Sequence, residues 1–270
     1  MTLSKEQPIG IFDSGVGGLT VAHAIKQLLP NEAFIYFGDT AHLPYGDKSA
    51  ESILHYSRKI TEFLLNNNCK VILVACNSAS AVAFSSLNAY VGEKAVLMNV
   101  IDPVVEHILQ NKTYKKIGVI GTKATINSGT YEEKIKEKSQ DIEVKSLATP
   151  LLVPMIEEGF VYDDISNAII RAYLSKKELK NIQSLILGCT HYPIIKNQIS
   201  KFYNFDVEVI DSARIVANDL KRTLISKDLL RSEGKTTNQF FISDYTPFFK
   251  KISKMFFEET IHLTKMDLWR

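Results

Sequence analysis

The stretch VILVACNSAS, residues 71 to 80, is an apolar run that ends on Cys76 and continues into asparagine and serine. A second stretch, LILGCTHYP at residues 185 to 193, ends in the same way on Cys189. Short runs that are apolar throughout are typical of strands buried on both faces of a parallel sheet. Two such strands that each end on a cysteine require more than ordinary packing as an explanation.

Runs of the same kind recur along the chain and alternate with helical stretches. The predicted strands occupy residues 9–13, 34–38, 71–76, 96–100, 116–121, 144–148, 184–189 and 207–211. Between them, Ser49 is predicted to cap a helix that reaches about Leu65, and another helix is predicted from about Ala79 to Tyr90. This alternation predicts an α/β protein with mainly parallel sheets flanked by helices.

The two halves of the chain resemble each other. Gly10-Ile11-Phe12 is echoed by Gly118-Val119-Ile120, and Cys76 is echoed by Cys189 at nearly the same spacing. We therefore expect two similar domains related by a pseudo-two-fold axis, with the two cysteines facing one cleft between them. The segment after about residue 214 is predicted to be mostly helical, including a helix with one apolar face in FFKKISKMFFEET, residues 248 to 260.

Composition excludes several classes of protein. Of 270 residues, 45% are hydrophobic, and 32 Lys and Arg stand against 30 Asp and Glu without forming a basic cluster. Nucleic-acid binding therefore has no electrostatic basis. The amino-terminal residues lack the apolar stretch of a signal peptide, and no apolar run approaches the roughly 18 residues of a membrane span. We expect a cytoplasmic protein whose partner is a small molecule, while the sequence leaves a homodimer open.

The three cysteines do not form the pattern of a disulfide framework, and their spacing is not that of a zinc site. Cys69 is expected to pack as a small hydrophobic residue. Cys76 and Cys189 instead end strands, where parallel sheets bind ligands and a following helix favours a thiolate. Two opposed thiols suit the inversion of a stereocentre, because one can remove an α-proton while the other returns one. The sequence predicts a racemase or epimerase.

Two loops are candidates for the rest of such a site. GIFDSGVGGLTVAHAI, residues 10 to 25, lacks the Walker A ending and has Thr20 where G-x-G-x-x-G needs glycine, so we expect its glycines to expose amides to a carboxylate or phosphate. DTAHLPYGDKS, residues 39 to 49, considered alone is typical of a surface loop. His191 is a candidate because it lies two residues from Cys189.

Six motifs together closely resemble those of the glutamate racemases, in the aspartate/glutamate racemase family: FDSGVGGLTV, GDTAHLPYGDKS, VACNSASAVA, GTKATINS, VPMIEEG and LGCTHYP. The resemblance implies racemisation of glutamate without cofactor or metal, for peptidoglycan synthesis. It also implies a discontinuous first domain, residues 1–98 and 208–270, and a second domain, residues 99–207, with the active site between them.

The resemblance also assigns roles to residues. Cys76 would remove the α-proton from D-glutamate and Cys189 from L-glutamate, Asp13 and His191 would assist these thiols, and Glu157 is a further acidic residue. The implied substrate-binding residues are Asp13, Ser14, Tyr45, Gly46, Asn77, Ser78, Thr122, Thr125, Thr190 and His191. Open alternatives are a racemase for aspartate or another acidic amino acid, a thiol hydrolase with one cysteine and His191 as base, and a non-enzymatic binding protein.

Overall fold

The computed structural model describes residues 3–234, 237–245, 247–257 and 260–269, in which two sheets are flanked by helices. The strands are β1 (Ile9–Asp13), β2 (Phe34–Gly38), β3 (Val71–Val74), β4 (Val96–Asn99), β5 (Lys116–Gly121), β6 (Glu143–Ala148), β7 (Ser184–Gly188), β8 (Glu208–Ile210), β9 (Gln239–Ile242) and β10 (Leu263–Lys265). Neighbouring strands in both sheets run parallel. The predicted α/β class is confirmed.

The helices connect these strands and cover the sheets. They are α1 (Leu19–Leu28), α2 (Ala50–Asn66), α3 (Asn77–Val82), α4 (Phe84–Val91), α5 (Asp102–Gln110), α6 (Lys123–Asn127), α7 (Thr130–Lys138), α8 (Leu152–Glu157), α9 (Asp164–Leu174), α10 (Lys196–Phe202), α11 (Ser212–Ser226) and α12 (Pro247–Phe257). Ser49 caps α2 as predicted, since its hydroxyl accepts the Ser52 N–H. In the described part of the chain, no helix combines the length and apolar character needed to cross a bilayer.

Strand order repeats between the two sheets. The first sheet has the order β10-β9-β2-β1-β3-β4, and the second has the order β6-β5-β7-β8. The four strands β2-β1-β3-β4 therefore correspond one by one to β6-β5-β7-β8. Cys76 follows β3 and Cys189 follows β7, so the two cysteines occupy equivalent positions, as the internal similarity of the sequence predicts.

Cys76 lies closer to its helix than predicted. The strand ends at Val74, Cys76 is itself the N-cap residue of α3, and its sulfur accepts the Ala79 N–H at 3.5 Å. The predicted single helix from 79 to 90 is wrong in its start and its continuity, because the chain forms α3 and α4 with a break at Ala83. The sulfur satisfies one of the free N–H groups at the start of α3, so the helix can begin shortly after the strand.

The segment after residue 214 contributes strands as well as helices. β9 pairs with β2 and β10 pairs with β9, which extends the first sheet at one edge. β9 has four residues and β10 has three, so neither strand is long enough to show a periodic pattern in the sequence. The predicted apolar face of α12 is visible in buried Phe249, Phe256 and Phe257. The side chains at 248 and 252 and residues 258 and 259 lie outside the described residues.

The chain thus returns to the first sheet after completing the second. The predicted return at residue 208 coincides with the start of β8, which pairs with β7 in the second sheet. The division into domains 1–98 with 208–270 and 99–207 stays a prediction.

A buried ion pair fixes the amino-terminal edge of the first sheet. Lys70, directly before β3, donates from Nζ to the Glu32 carboxylate at 2.7 Å and to the carbonyls of Lys5 and Leu229 at 2.6 and 2.9 Å. Glu32 also accepts the Arg231 N–H. Burial lowers the pKa of Lys70, and the hydrogen bond to Glu32 opposes this effect. The pair joins chain segments that are distant in sequence.

Replacing Lys70 with methionine is expected to lower the free energy of unfolding by about 3 kcal/mol, because it leaves the Glu32 carboxylate buried and unpaired. Lys136→Met is the matched control, since its ion pair with Glu132 is exposed to solvent and is worth less than about 1 kcal/mol. Urea denaturation followed by circular dichroism measures both. Equal losses in the two variants would contradict this account.

Candidate active site

One cleft between the carboxyl edges of the two sheets collects residues from both halves of the chain. The free space inside it is narrow, about 20 Å³. Its lining consists of Ser14, Leu43, Pro44, Tyr45, Gly46, Cys76, Asn77, Ser78, Thr122, Val153, Glu157, Cys189, Thr190 and His191. Among the residues that the structure describes, no group of three or more His, Cys, Asp or Glu is placed to hold a metal ion.

Most of the residues suggested by the sequence line this cleft, and two lie behind its wall. Asp13 is fully buried, and Thr125 is almost fully buried. Leu43, Pro44 and Val153 line the cleft although no chemical signal in the sequence singled them out. Their apolar side chains shape the space around the polar groups.

Cys76 is held as a thiol on one side of the cleft. Its sulfur accepts the Ala79 N–H, and its S–H points to the Ser14 hydroxyl at 3.6 Å. Burial raises the pKa of Cys76 to about 12, and the charges of Asp13 and Cys189 add to the effect of burial. The Ala79 and Ser14 hydrogen bonds oppose this shift but do not overcome it. The neutral thiol is therefore the favoured form of Cys76.

Asp13 acts on Cys76 through charge. One carboxylate oxygen accepts the Gly15 N–H at 3.0 Å, and the other accepts the Thr190 hydroxyl at 3.4 Å. Thr190 follows the strand of the second sheet, so this hydrogen bond crosses between the two sheets. The carboxylate is fixed by these partners close to the Cys76 sulfur.

Cys189, His191 and Glu157 form a chain of contacts on the opposite side. The Cys189 sulfur lies 3.7 Å from His191 Nδ1, and His191 Nε2 lies 3.0 Å from Glu157 Oε1. Burial disfavours a charged imidazole, but the hydrogen bonds and negative charges of Cys189 and Glu157 outweigh burial and raise the pKa of His191 well above its usual value. A cationic ring therefore sits beside this sulfur.

Two glycines allow the two sides of the cleft to approach closely. A Cβ added at Gly17 would lie 2.5 Å from His191 Nδ1, and one at Gly46 would lie 2.5 Å from Thr122 Cβ. At Gly18, an added Cβ would lie 2.5 Å from Asp13 Cβ. Side chains fill the space beside Gly17 and Gly18 on their Cβ side. The expectation that this loop exposes amides to an anion stays a prediction.

A cluster of hydroxyl groups bridges the sheets near Cys76. The Ser78 hydroxyl lies 2.9 Å from Thr122 Oγ1 and 3.3 Å from Thr125 Oγ1, and the two threonine oxygens are 3.1 Å apart. Ser78 belongs to α3, whereas both threonines belong to the loop and helix that follow β5. The cluster therefore helps to hold the two halves together, and its members Ser78 and Thr122 also line the cleft.

Asn77 presents an unpaired donor to the cleft. Its Oδ1 accepts the Tyr131 hydroxyl at 2.8 Å, while its buried Nδ2 has no hydrogen-bond partner among the described residues. Burial raises the pKa of Tyr131, so this hydroxyl stays protonated and fixes the orientation of the amide. Sequence reasoning missed Tyr131, because it lies 54 residues from Asn77 and belongs to the other sheet's helices. A buried amide without an acceptor is suited to bind a ligand oxygen.

The loop at residues 39 to 49 is not an ordinary surface loop. Tyr45 and Asp39 are almost completely buried, and the Tyr45 hydroxyl donates to Asp39 at 2.7 Å. Burial and the neighbouring Asp39 carboxylate raise the pKa of Tyr45. The loop forms a wall of the cleft because Tyr45 is anchored inside the protein.

Comparison with known proteins identifies close relatives. The chain matches the model of the family described as Asp/Glu/Hydantoin racemase over residues 18–220. It is 40% identical to the glutamate racemase of Chlorobaculum tepidum over 255 residues, which are 94% of this chain and 93% of that protein. The resemblance that the sequence motifs indicate is thereby confirmed.

Solved structures give the same result. The crystal structure of glutamate racemase from Francisella tularensis in complex with D-glutamate aligns with a TM-score of 0.92 and 39% identity, covering 98% of this chain and 99% of that one. The Thermus thermophilus glutamate racemase in complex with beta-chloro-D-alanine aligns with a TM-score of 0.88 and 35% identity, covering 98% of both chains. The fold is therefore shared over nearly the whole length.

Glu157→Gln is expected to lower the pKa of His191, because it removes a negative charge 3.0 Å from Nε2. A raised pKa means that the folded protein binds this proton more tightly than the unfolded chain does. His191 therefore adds stability that is fully present below about pH 6.5 and is lost as the pH rises through the raised pKa. In Glu157→Gln this contribution is smaller.

NMR titration of the histidine rings and urea unfolding across the pH range measure these two effects. Glu158→Gln is the matched control, since Glu158 is the exposed neighbour of Glu157. An unchanged His191 titration in Glu157→Gln would show that the carboxylate does not hold the proton on the ring.

Proposed function

We propose that this chain, which belongs to the Asp/Glu/Hydantoin racemase family, interconverts L- and D-glutamate by moving the α-proton between two cysteine thiols, without a cofactor or metal ion. The observation that carries the proposal is that Cys76 and Cys189, supplied by opposite sheets, line the same cleft. Relatives named glutamate racemase match nearly the full length of the chain, which supports glutamate as the substrate.

The reaction transfers one proton from one face of the α-carbon and returns another to the opposite face. With L-glutamate bound, the Cys189 thiolate removes the α-proton, and the Cys76 thiol donates its proton to the other face. The product is D-glutamate, Cys189 is now a thiol, and Cys76 is now a thiolate. The reverse reaction exchanges these roles, so protons and charge balance in both directions.

The two sulfurs have different surroundings. Burial and the charge of Asp13 raise the pKa of Cys76, whereas the Cys189 sulfur lies 3.7 Å from His191 Nδ1. The direction that starts from L-glutamate, with Cys76 as the proton donor, fits these surroundings. After turnover, the Ser14 hydroxyl and the Ala79 N–H stabilise the new charge on Cys76.

The α-hydrogen of an amino acid is very weakly acidic, so the developing carbanion needs stabilisation. Hydrogen-bond donors held in place before the substrate binds supply it most effectively in a site that excludes water. The unpaired Asn77 amide is such a donor, and the hydroxyls of Ser14 and Thr190 line the same cleft. We assign the substrate carboxylates to these groups.

We further propose that the D-glutamate serves peptidoglycan synthesis and that the protein acts in the cytoplasm. Both assignments rest on the resemblance of the motifs to those of glutamate racemases.

Light scattering of the purified protein tests for a homodimer. A thiol hydrolase would need only Cys189 and His191, so the second thiol in the cleft favours racemisation over hydrolysis.

Incubation of the protein with L-glutamate in deuterated water, without added cofactor, is expected to give D-glutamate with deuterium at the α-carbon. Cys76→Ala and Cys189→Ala are each expected to lower kcat/KM about a thousandfold, because a positioned acid or base contributes about 100-fold to 10,000-fold. Polarimetry and proton NMR measure inversion and exchange. Cys69→Ala is the control, since burial raises the pKa of that thiol to about 12 and it does not line the cleft.

Other outcomes would support the alternatives. Much faster turnover of aspartate than of glutamate would overturn the substrate assignment. A hydrolytic activity that survives in Cys76→Ala and needs Cys189 would support the thiol hydrolase. Tight glutamate binding without α-deuteration would support a binding protein.

Asn77→Ala is expected to raise the Kd for D-glutamate about 10-fold to 100-fold, because it removes a hydrogen bond from a buried amide to a charged group. Tyr131→Phe is expected to weaken binding less, since it leaves the amide present but free to rotate. Isothermal titration calorimetry measures both, with Asn88→Ala on the exposed face of α4 as control. An Asn77→Ala variant that binds like the wild type would show that the amide does not contact the substrate.

A further inference from the structure

The end of the chain lies behind the cleft wall formed by residues 39 to 49. Leu43, Pro44, Tyr45 and Gly46 line the cleft. On the opposite side of this wall, Met266, Leu268 and Trp269 pack against the hydrophobic cluster that contains Tyr45. We call residues 266–269 the carboxyl-terminal strap.

We propose that Trp269 is a positioning residue for the reaction, which acts through His42 and Asp39 to hold Tyr45 and its loop against the bound substrate. This inference rests on the proposed function, because it assigns a role in the same site. It adds a residue from a part of the chain to which neither the motifs nor the chemistry of the two thiols gave any task.

Asp39 lies at the centre of the contacts that connect the carboxyl-terminal strap to Tyr45. This fully buried carboxylate accepts the Tyr45 and Ser243 hydroxyls, each at 2.7 Å, and lies 2.9 Å from His42 Nδ1. Ser243 follows β9, and its oxygen also accepts the Ala41 N–H at 2.8 Å. One carboxylate therefore fixes the loop both to the edge of the first sheet and to its own tyrosine.

His42 connects this centre to the strap. Its ring stacks on Tyr56 with centroids 4.1 Å apart and meets the edge of Trp269 at 4.5 Å. Trp269 also contacts Tyr56, with centroids 5.3 Å apart. The three rings form one cluster, and its contacts fix the orientation of the His42 ring beside Asp39.

The indole of Trp269 is held in position by contacts with other rings and not by a hydrogen bond from its Nε1. Its Nε1 is buried without a hydrogen-bond partner among the described residues. The strap itself is attached to the sheet, since the Met266 N–H donates to the Ile242 carbonyl at the end of β9. Removing the ring would therefore free His42 without detaching the strap from the sheet.

The position of the loop matters for substrate because it touches both halves of the protein. Tyr45 and Gly46 form the wall opposite the second sheet, and Gly46 lies against Thr122. A loop that has lost its support would leave this contact and widen the cleft. We expect the main consequence to be weaker substrate binding, since neither thiol is moved.

Trp269→Ala is expected to raise KM for L-glutamate about tenfold with a smaller change in kcat, the loss appropriate to two aromatic contacts. Trp269→Phe keeps a ring on His42 and is expected to restore most of the affinity. Phe205→Ala, which removes a largely exposed aromatic side chain outside the cleft, is the matched control and is expected to keep the wild-type KM.

A second readout uses the fact that Trp269 is the only tryptophan in the chain. We expect saturating D-glutamate to change its fluorescence emission in the wild type. His42→Gln removes the connecting ring and is expected both to raise KM and to reduce this change. Thermal unfolding by circular dichroism accompanies each variant to separate lost stability from lost positioning.

The outcomes distinguish the two proposals. A wild type that does not racemise glutamate overturns the proposed function. An active wild type with an unchanged KM in folded Trp269→Ala overturns the role of the strap alone. If Trp269→Ala does not fold, an unchanged KM in folded His42→Gln, with no ligand-dependent emission change in the wild type, overturns it equally.

Discussion

The carboxyl edges of two parallel sheets face each other across a very short distance, and the properties of the cleft depend on that approach. Gly17 lies against His191 and Gly46 lies against Thr122, where any side chain would collide. Cys76 and Cys189 can therefore serve one ligand although they come from different halves of the chain. The same closeness leaves little room for water, and the carbanion of the proposed reaction needs a site that excludes water.

Burial in this narrow space also sets the protonation of the acid and base groups. Removing the thiol of Cys76 from water and placing it near Asp13 keeps it protonated, whereas the contacts of His191 with Cys189 and Glu157 outweigh burial and keep the imidazole charged. Equivalent positions after β3 and β7 thus have different electrostatic surroundings. The duplicated architecture supplies two thiols, and each has its own set of charged neighbours.

The carboxyl-terminal part of the chain supports this site from outside the duplicated unit. β9 extends the first sheet beside β2, and Ser243 at its end binds Asp39 behind the cleft wall. At the amino-terminal edge of the same sheet, Lys70 donates hydrogen bonds to the Leu229 carbonyl and to the Glu32 carboxylate. The carboxyl and amino edges of the first sheet are therefore both tied to late segments of the chain.

Local features of the chain, read residue by residue, were enough to predict the buried strands, the Ser49 cap and the cysteines at the strand ends. These features extend over a few neighbours, and periodicity and capping act on that scale. The short spacing from Cys189 indicated His191, and the resemblance of motifs added Asp13 and Glu157. The Asn77–Tyr131 bond, the burial of Tyr45 and the bond between Ser243 and Asp39 could not be predicted in this way. Their partners lie up to 204 residues apart, and only the packing of the whole fold brings them together.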